Sequence, residues 1–208
     1  MDGVFMKKIA KFILTCLLLA MAFWLGTIAS DKTVLSQDLI RLHVVADSDS
    51  AEDQQIKLKV RDAIIEKLET VMEELPDVEA AKAYLQEHLP ELEQIANDVL
   101  RSLNSGCQAV VSLAKEAFPT REYDTFTLPA GVYESLRVTI GSGEGQNWWC
   151  VVFPSLCVSA TSDGMEDAAV GAGFSDRLTG TISGKQEYRV RFFILDCFGW
   201  VENWLHGM

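Results

Sequence analysis

Four groups of side chains in this 208-residue chain are of types that do chemistry. Cys150 and Cys157 stand seven positions apart around Phe153-Pro154, and a thiolate nucleophile at Cys150 needs a histidine base nearby. His88 falls on a predicted helix end and His206 near the terminus, which leaves His43 as the partner. In an oxidising compartment two such cysteines favour a disulfide over a nucleophile, so Cys150–Cys157 is the expected staple. Asp47-Ser-Asp49-Ser50 clusters the oxygens that a hard cation takes. A helix-loop-helix calcium loop, however, wants Gly at its sixth position and Glu at its twelfth, where this chain has Glu52 and Leu58. A strand end followed by a helix N-cap accounts for Asp47, Asp49 and Ser50 without a metal. Gly141, Gly143 and Gly145 suggest a phosphate cradle, but Glu144 sits among them and no lysine follows. These glycines make a turn. The chain has no Gly-x-Ser-x-Gly nucleophile turn and no Cys-x-x-Cys zinc spacing, so no catalytic residue, metal or cofactor is expected. What remains is recognition: Trp148 and Trp149, framed by Glu144, Asn147 and the staple, offer opposite faces of an extended segment. They are the candidate partner-binding residues, with core packing as the plain alternative.

The elements that must hold this loop follow from periodicity. Ile40, Leu42 and Val44 alternate with Arg41 and His43, a half-buried strand. Ile56, Val60, Ile64, Leu68, Val71 and Leu75 recur at helical spacing and predict a helix over about 51–75, capped by Ser50. Pro76 ends it, Asp77 caps a shorter helix through His88, and Pro90 opens a third that closes at Asn104-Ser-Gly106. From Cys107 the period is two. Cys107, Ala109, Val111 and Leu113 share one strand face, as do Val132, Leu136, Val138 and Ile140 after a Leu128–Gly131 turn. Residues 158–186 are rich in Gly, Ser, Thr and Asp and read as a flexible insertion. Tyr188, Val190, Phe192 and Ile194 alternate as a last strand, and a short helix then gathers Cys197, Trp200, Val201, Trp204 and Leu205. An interfacial helix normally carries Lys or Arg on its polar face. This one carries Asp196 and Glu202, so its tryptophans are expected to pack on the sheet. The fold class is α+β, a single domain with helices on one face of a mainly antiparallel sheet.

Lys7, Lys8 and Lys11 precede a charge-free apolar run from Phe12 to Ala29, which reads as a secretory signal cleaved near Ala29 or Ser30, or as an uncleaved anchor. The organisation is then a targeting segment over 1–30, a polar linker over 31–38, the main domain over 39–157, the insertion over 158–186 and a completing strand and helix over 187–208. The net charge is −12, and residues 1–29 carry three lysines and one aspartate, a net +2, leaving −14 on the rest. So acidic a body repels nucleic acid and anionic headgroups. The membrane is met only through the N-terminal segment, and no small-molecule substrate is expected. Of the four cysteines after Cys16, Cys107 and Cys197 form a second pair or stay as thiols.

Leu39-Ile-Arg-Leu-His-Val-Val-Ala-Asp-Ser-Asp-Ser50, Asp53-Gln-Gln-Ile-Lys-Leu-Lys-Val-Arg-Asp-Ala63, Leu128-Pro-Ala-Gly-Val-Tyr133 and Gly145-Gln-Asn-Trp-Trp-Cys-Val-Val-Phe-Pro154 together resemble the stage II sporulation protein R family over about 38–157. The resemblance implies an exported signal of endospore-forming bacteria, made in the forespore and released between the two septal membranes. There it would activate a membrane aspartic protease, stage II sporulation protein GA, that processes the precursor of sigma factor E. The family brings no catalytic residues to carry over. The competing expectations are an exported enzyme at the septal cell wall, or a thiol hydrolase using Cys150, and an anchored structural component of the septum.

Overall fold

The alternation around Arg41 and His43 does produce a strand, β1 (Ile40–Val45), in the computed structural model, but all six of its residues are buried. The structure describes residues 3–123, 126–154, 176–183 and 189–206. Burial on both sides follows from position. Three further strands, β2 (Ala109–Phe118), β5 (Gly131–Ile140) and β6 (Asn147–Phe153), join β1 in a sheet of order β2-β5-β1-β6. The short strands β3 (Arg121–Glu122) and β4 (Thr127–Leu128) pair separately. β1 runs parallel to β5, while β1–β6 and β2–β5 are antiparallel. The sheet is mixed with antiparallel pairs in the majority, and the α+β single-domain class is as expected.

One sheet face carries Leu42, Val44, Val111, Leu136, Val138 and Ile140, and these meet α2 (Ala51–Glu74) and α3 (Val78–Ser102) in the main core. Ser50 caps α2, accepting from the Asp53 amide at 3.1 Å, and Ile56, Val60, Ile64 and Leu68 form its buried stripe. Asp77 caps α3 through the Ala80 amide at 2.8 Å. The sequence predicts a break at Pro90, yet α3 runs through it. The buried positions Ala81, Leu85, Leu92, Ala96 and Leu100 stay in phase across the proline, so packing of the stripe outweighs the lost backbone hydrogen bond.

The opposite face is covered as well. Leu35, Leu39, Phe118, Phe126, Leu128, Tyr133, Val151, Leu178 and Ile182 make a second, smaller core. Leu35 belongs to α1 (Gly3–Gln37), a single helix that continues through 31–37, where composition predicts a linker. Ile28, Asp31 and Leu35 are buried, and their spacing of three and four lays the last turns of α1 on the domain. Within α1, Lys11–Gln37 is long and apolar enough to cross a membrane by length and composition. Part of the expected insertion, Asp176–Ile182, is helical (α4), and residues 158–175 and 184–186 lie outside the described residues. The expected last strand is also corrected: Arg189–Leu205 is one helix, α5. In Arg189-Val-Arg-Phe-Phe-Ile-Leu195 the apolar residues fit either period, and the tertiary contacts of α5 decide for helix.

Candidate functional site

The turn after β5 is built on two glycines at positive φ, Gly141 at 58° and Gly143 at 66°. It is clamped to the end of β1. Asp47 accepts from the Ser142 amide at 2.5 Å, and its carbonyl accepts from the Ser142 hydroxyl at 2.9 Å and the Glu144 amide at 3.2 Å. The backbone bond from Ser142 holds the Asp47 carboxyl below its ordinary range. A Cβ on Gly141 would fall 2.1 Å from Asp47 Oδ1, and one on Gly145 would fall 2.3 Å from the Ser48 carbonyl oxygen. The glycines therefore permit both the turn and its close approach. Lys57, buried on α2, donates to the Gln146 carbonyl at 2.9 Å and fastens the far side; burial pushes its pKa down.

From this clamp the chain enters β6, an edge strand, and period two separates the tryptophans. Trp148 lies on the α2 side, 38% exposed, with the Arg61 guanidinium 4.2 Å from its ring centroid. Trp149 is half-buried on the other side, stacked on His43 at 5.6 Å and carrying Arg121 at 3.6 Å. Trp148 is thus the more outward ring. Glu144 is exposed at the turn tip, and Asn147 is tied inward, its Oδ1 2.8 Å from His43 Nε2. Asp49 and Ser50 stay at the α2 cap.

The thiol–imidazole dyad is not assembled. Cys150 pairs with Leu42 and faces the main core, whereas His43 pairs with Trp149 and points from the opposite sheet face. One residue of offset on a strand reverses the direction of the side chain. Cys157 lies outside the described residues. Cys16, Cys107 and Cys197 are free thiols.

The structure also gathers a group that the sequence reading leaves on a solvated face. Arg41 is fully buried beneath rings, 4.1 Å from the Phe118 centroid and 5.1 Å from that of Tyr133, and donates to the Tyr123 hydroxyl at 2.8 Å. Its Nε and Nη1 find no hydrogen-bond partner among the described residues; aromatic faces stand in for them. Beside it, His43 Nδ1 is 3.2 Å from Glu116 Oε2, and Arg137 Nη1 donates to Glu116 Oε1 at 2.5 Å. The signal for this cluster is the run of Arg41, His43 and Arg137 on the polar faces of two strands that turn out to be neighbours. Its chemistry is structural: Arg41 lies on the Phe118 and Tyr133 rings, and His43 stacks on Trp149.

A family model described as stage II sporulation protein R matches residues 36–163, which takes in β1, the clamped turn and β6. The chain is 33% identical over 163 residues to stage II sporulation protein R of Bacillus subtilis (strain 168), covering 76% of this chain and 73% of that protein. No solved structure matches it. The matched region contains the whole sheet and both tryptophans, and on that ground the chain belongs to the stage II sporulation protein R family, with a role in sporulation.

Proposed function

We propose that the protein is an exported signal that acts by binding: it activates a membrane aspartic protease of the stage II sporulation protein GA kind and so triggers processing of the sigma factor E precursor. The space between the forespore and mother-cell membranes is its place of action. Family membership supports the sporulation setting, and α1 suits a segment that carries the domain to or into a membrane. The observation that carries the binding reading is Trp148. It projects from an edge strand whose preceding turn is clamped to Asp47, so its ring is already ordered before any partner arrives. A pre-ordered aromatic loses little entropy on docking, and such anchors commonly contribute about 2 kcal/mol or more to an interface.

The test combines the full chain, the protease and the precursor in membranes and follows precursor cleavage. Trp148→Ala leaves the circular dichroism spectrum unchanged and weakens activation roughly thirty-fold, the equivalent of about 2 kcal/mol. Arg61→Ala, which frees the ring to rotate, gives a smaller loss. A folded Trp148→Ala chain that triggers cleavage at the wild-type level removes this loop as the contact. Turnover of a substrate by the purified chain alone, abolished by one side-chain change, removes the binding reading itself.

A further inference from the structure

In α5 Leu195 and the polar residues Asp196 and Asn203 point inward, while a row of large apolar residues points outward. Asp196 accepts from the Thr120 hydroxyl at 2.5 Å and the Ala130 amide at 2.7 Å, and Asn203 donates to the Phe118 carbonyl at 2.8 Å. Glu202 receives Lys32 Nζ at 2.6 Å. The other side carries Phe193, Cys197, Trp200, Val201 and Trp204, all exposed, with Trp200 at 56% and Trp204 at 75%. Their spacing of four and three makes one stripe along the helix. The expected packing of these tryptophans on the sheet is therefore overturned, because the sheet side of α5 is taken by Asp196, Gly199 and Asn203. A contiguous outward apolar stripe of this kind marks a contact surface.

What covers the stripe is indicated by its neighbour. Lys32 of α1 bonds both Glu202 and, at 3.5 Å, the Phe198 carbonyl. Lys32 stands three residues beyond Ala29, the end of the charge-free run, or roughly 5 Å along a helix. An element held there lies at headgroup depth when the run is in a bilayer, the level at which tryptophans concentrate. We propose that α5 is an interfacial helix, with its Phe193, Trp200, Val201 and Trp204 face in the bilayer that α1 enters. The proposal rests on α1 being inserted. The acidic residues of α5 do not oppose it, since Asp196 and Glu202 are turned to the protein and bonded there rather than facing headgroups. The acidic body selects zwitterionic over anionic lipid. Span and interfacial helix then form two attachments, which hold the domain in one orientation where a lone span leaves it free to swivel.

The experiment places the full chain in phosphatidylcholine vesicles with plain or brominated acyl chains, bromine quenching tryptophan on contact. Trp24→Phe removes the fluorophore of the span. The expected result is loss of emission from the Trp24→Phe chain in brominated vesicles, and no such loss from Trp24→Phe/Trp200→Phe/Trp204→Phe. Both α5 rings are exposed, so their replacement leaves the fold standing, as circular dichroism would verify. Quenching of the wild type but not of Trp24→Phe means that α1 is inserted and α5 is off the lipid, which overturns the proposal and spares the span. Pairing of two copies through α5 gives that same result. Quenching of neither removes the span and the proposal together.

Discussion

Glu116 stays ionised at a partly buried place because its neighbours outweigh its surroundings. Burial alone raises its pKa, but hydrogen bonds from His43 and Arg137 reverse the effect and bring it from 4.5 down to about 2. A carboxylate whose folded pKa is depressed adds stability that is complete above its unfolded value and lost as pH falls toward the folded one. Between pH 4.5 and about 2, therefore, the wild type should lose stability steeply, and Glu116→Gln should flatten that limb while already being less stable at pH 7. Urea midpoints measured across this range check it; parallel curves for the two proteins would mean that Glu116 does not carry the acid sensitivity. Arg41 and His43 are visible in the sequence as polar positions on a strand, but their burial is not. It depends on Phe118, Tyr133 and Trp149, which come from three other strands and meet Arg41 and His43 only in the folded sheet. A guanidinium that lies on rings, as Arg41 does, looks by type like a solvent-facing residue. The loop read differently, since the glycines, Asp47 and the paired tryptophans are near enough in pattern to announce a turn and a two-faced strand.

Among the elements, α5 depends most on close backbone approach. A Cβ on Gly199 would sit 1.5 Å from the Ala130 carbonyl oxygen, a backbone atom that cannot swing aside. Gly199→Ala should push α5 off the β4–β5 turn, loosen the Asp196 and Asn203 bonds and cost about 1–3 kcal/mol, as overpacking does. The readout is a lower urea midpoint with faster hydrogen exchange in 195–205; an unchanged midpoint and unchanged exchange would show that α5 is not docked as described. The same contacts explain why α2 was legible and α5 was not. α2 has a long stripe of one period and a proper cap, so local pattern suffices. α5 opens on a short apolar run that satisfies both periods, and its choice is made by Ala130, Phe118 and Lys32, which are remote in sequence. Pro90 is the same lesson from the other direction, a local breaker overruled by a continuous apolar stripe.

For the whole molecule the question is where targeting sequence ends and domain begins. Composition puts that border near Ser30, and the polar residues 31–38 look like a tether. In the structure, Leu35 is fully buried in the second core, Lys32 is paired with Glu202, and both hold α1 and α5 to the sheet. The tail of α1 therefore serves the domain whether or not the chain is cut near Ala29. Leu35→Ala removes a buried side chain from a small core and should cost about 2–5 kcal/mol. Truncation sharpens the point. A chain beginning at Ser30 keeps Lys32 and Leu35 and should unfold cooperatively near the full-length midpoint, whereas one beginning at Asp38 loses both and should be weaker by at least the Leu35→Ala difference. Urea unfolding of the three variants decides between tether and wall: equal midpoints for the chains starting at 30 and 38 make 31–37 a tether after all. A clear gap makes them part of the domain, whose second core is then closed by the last turns of α1.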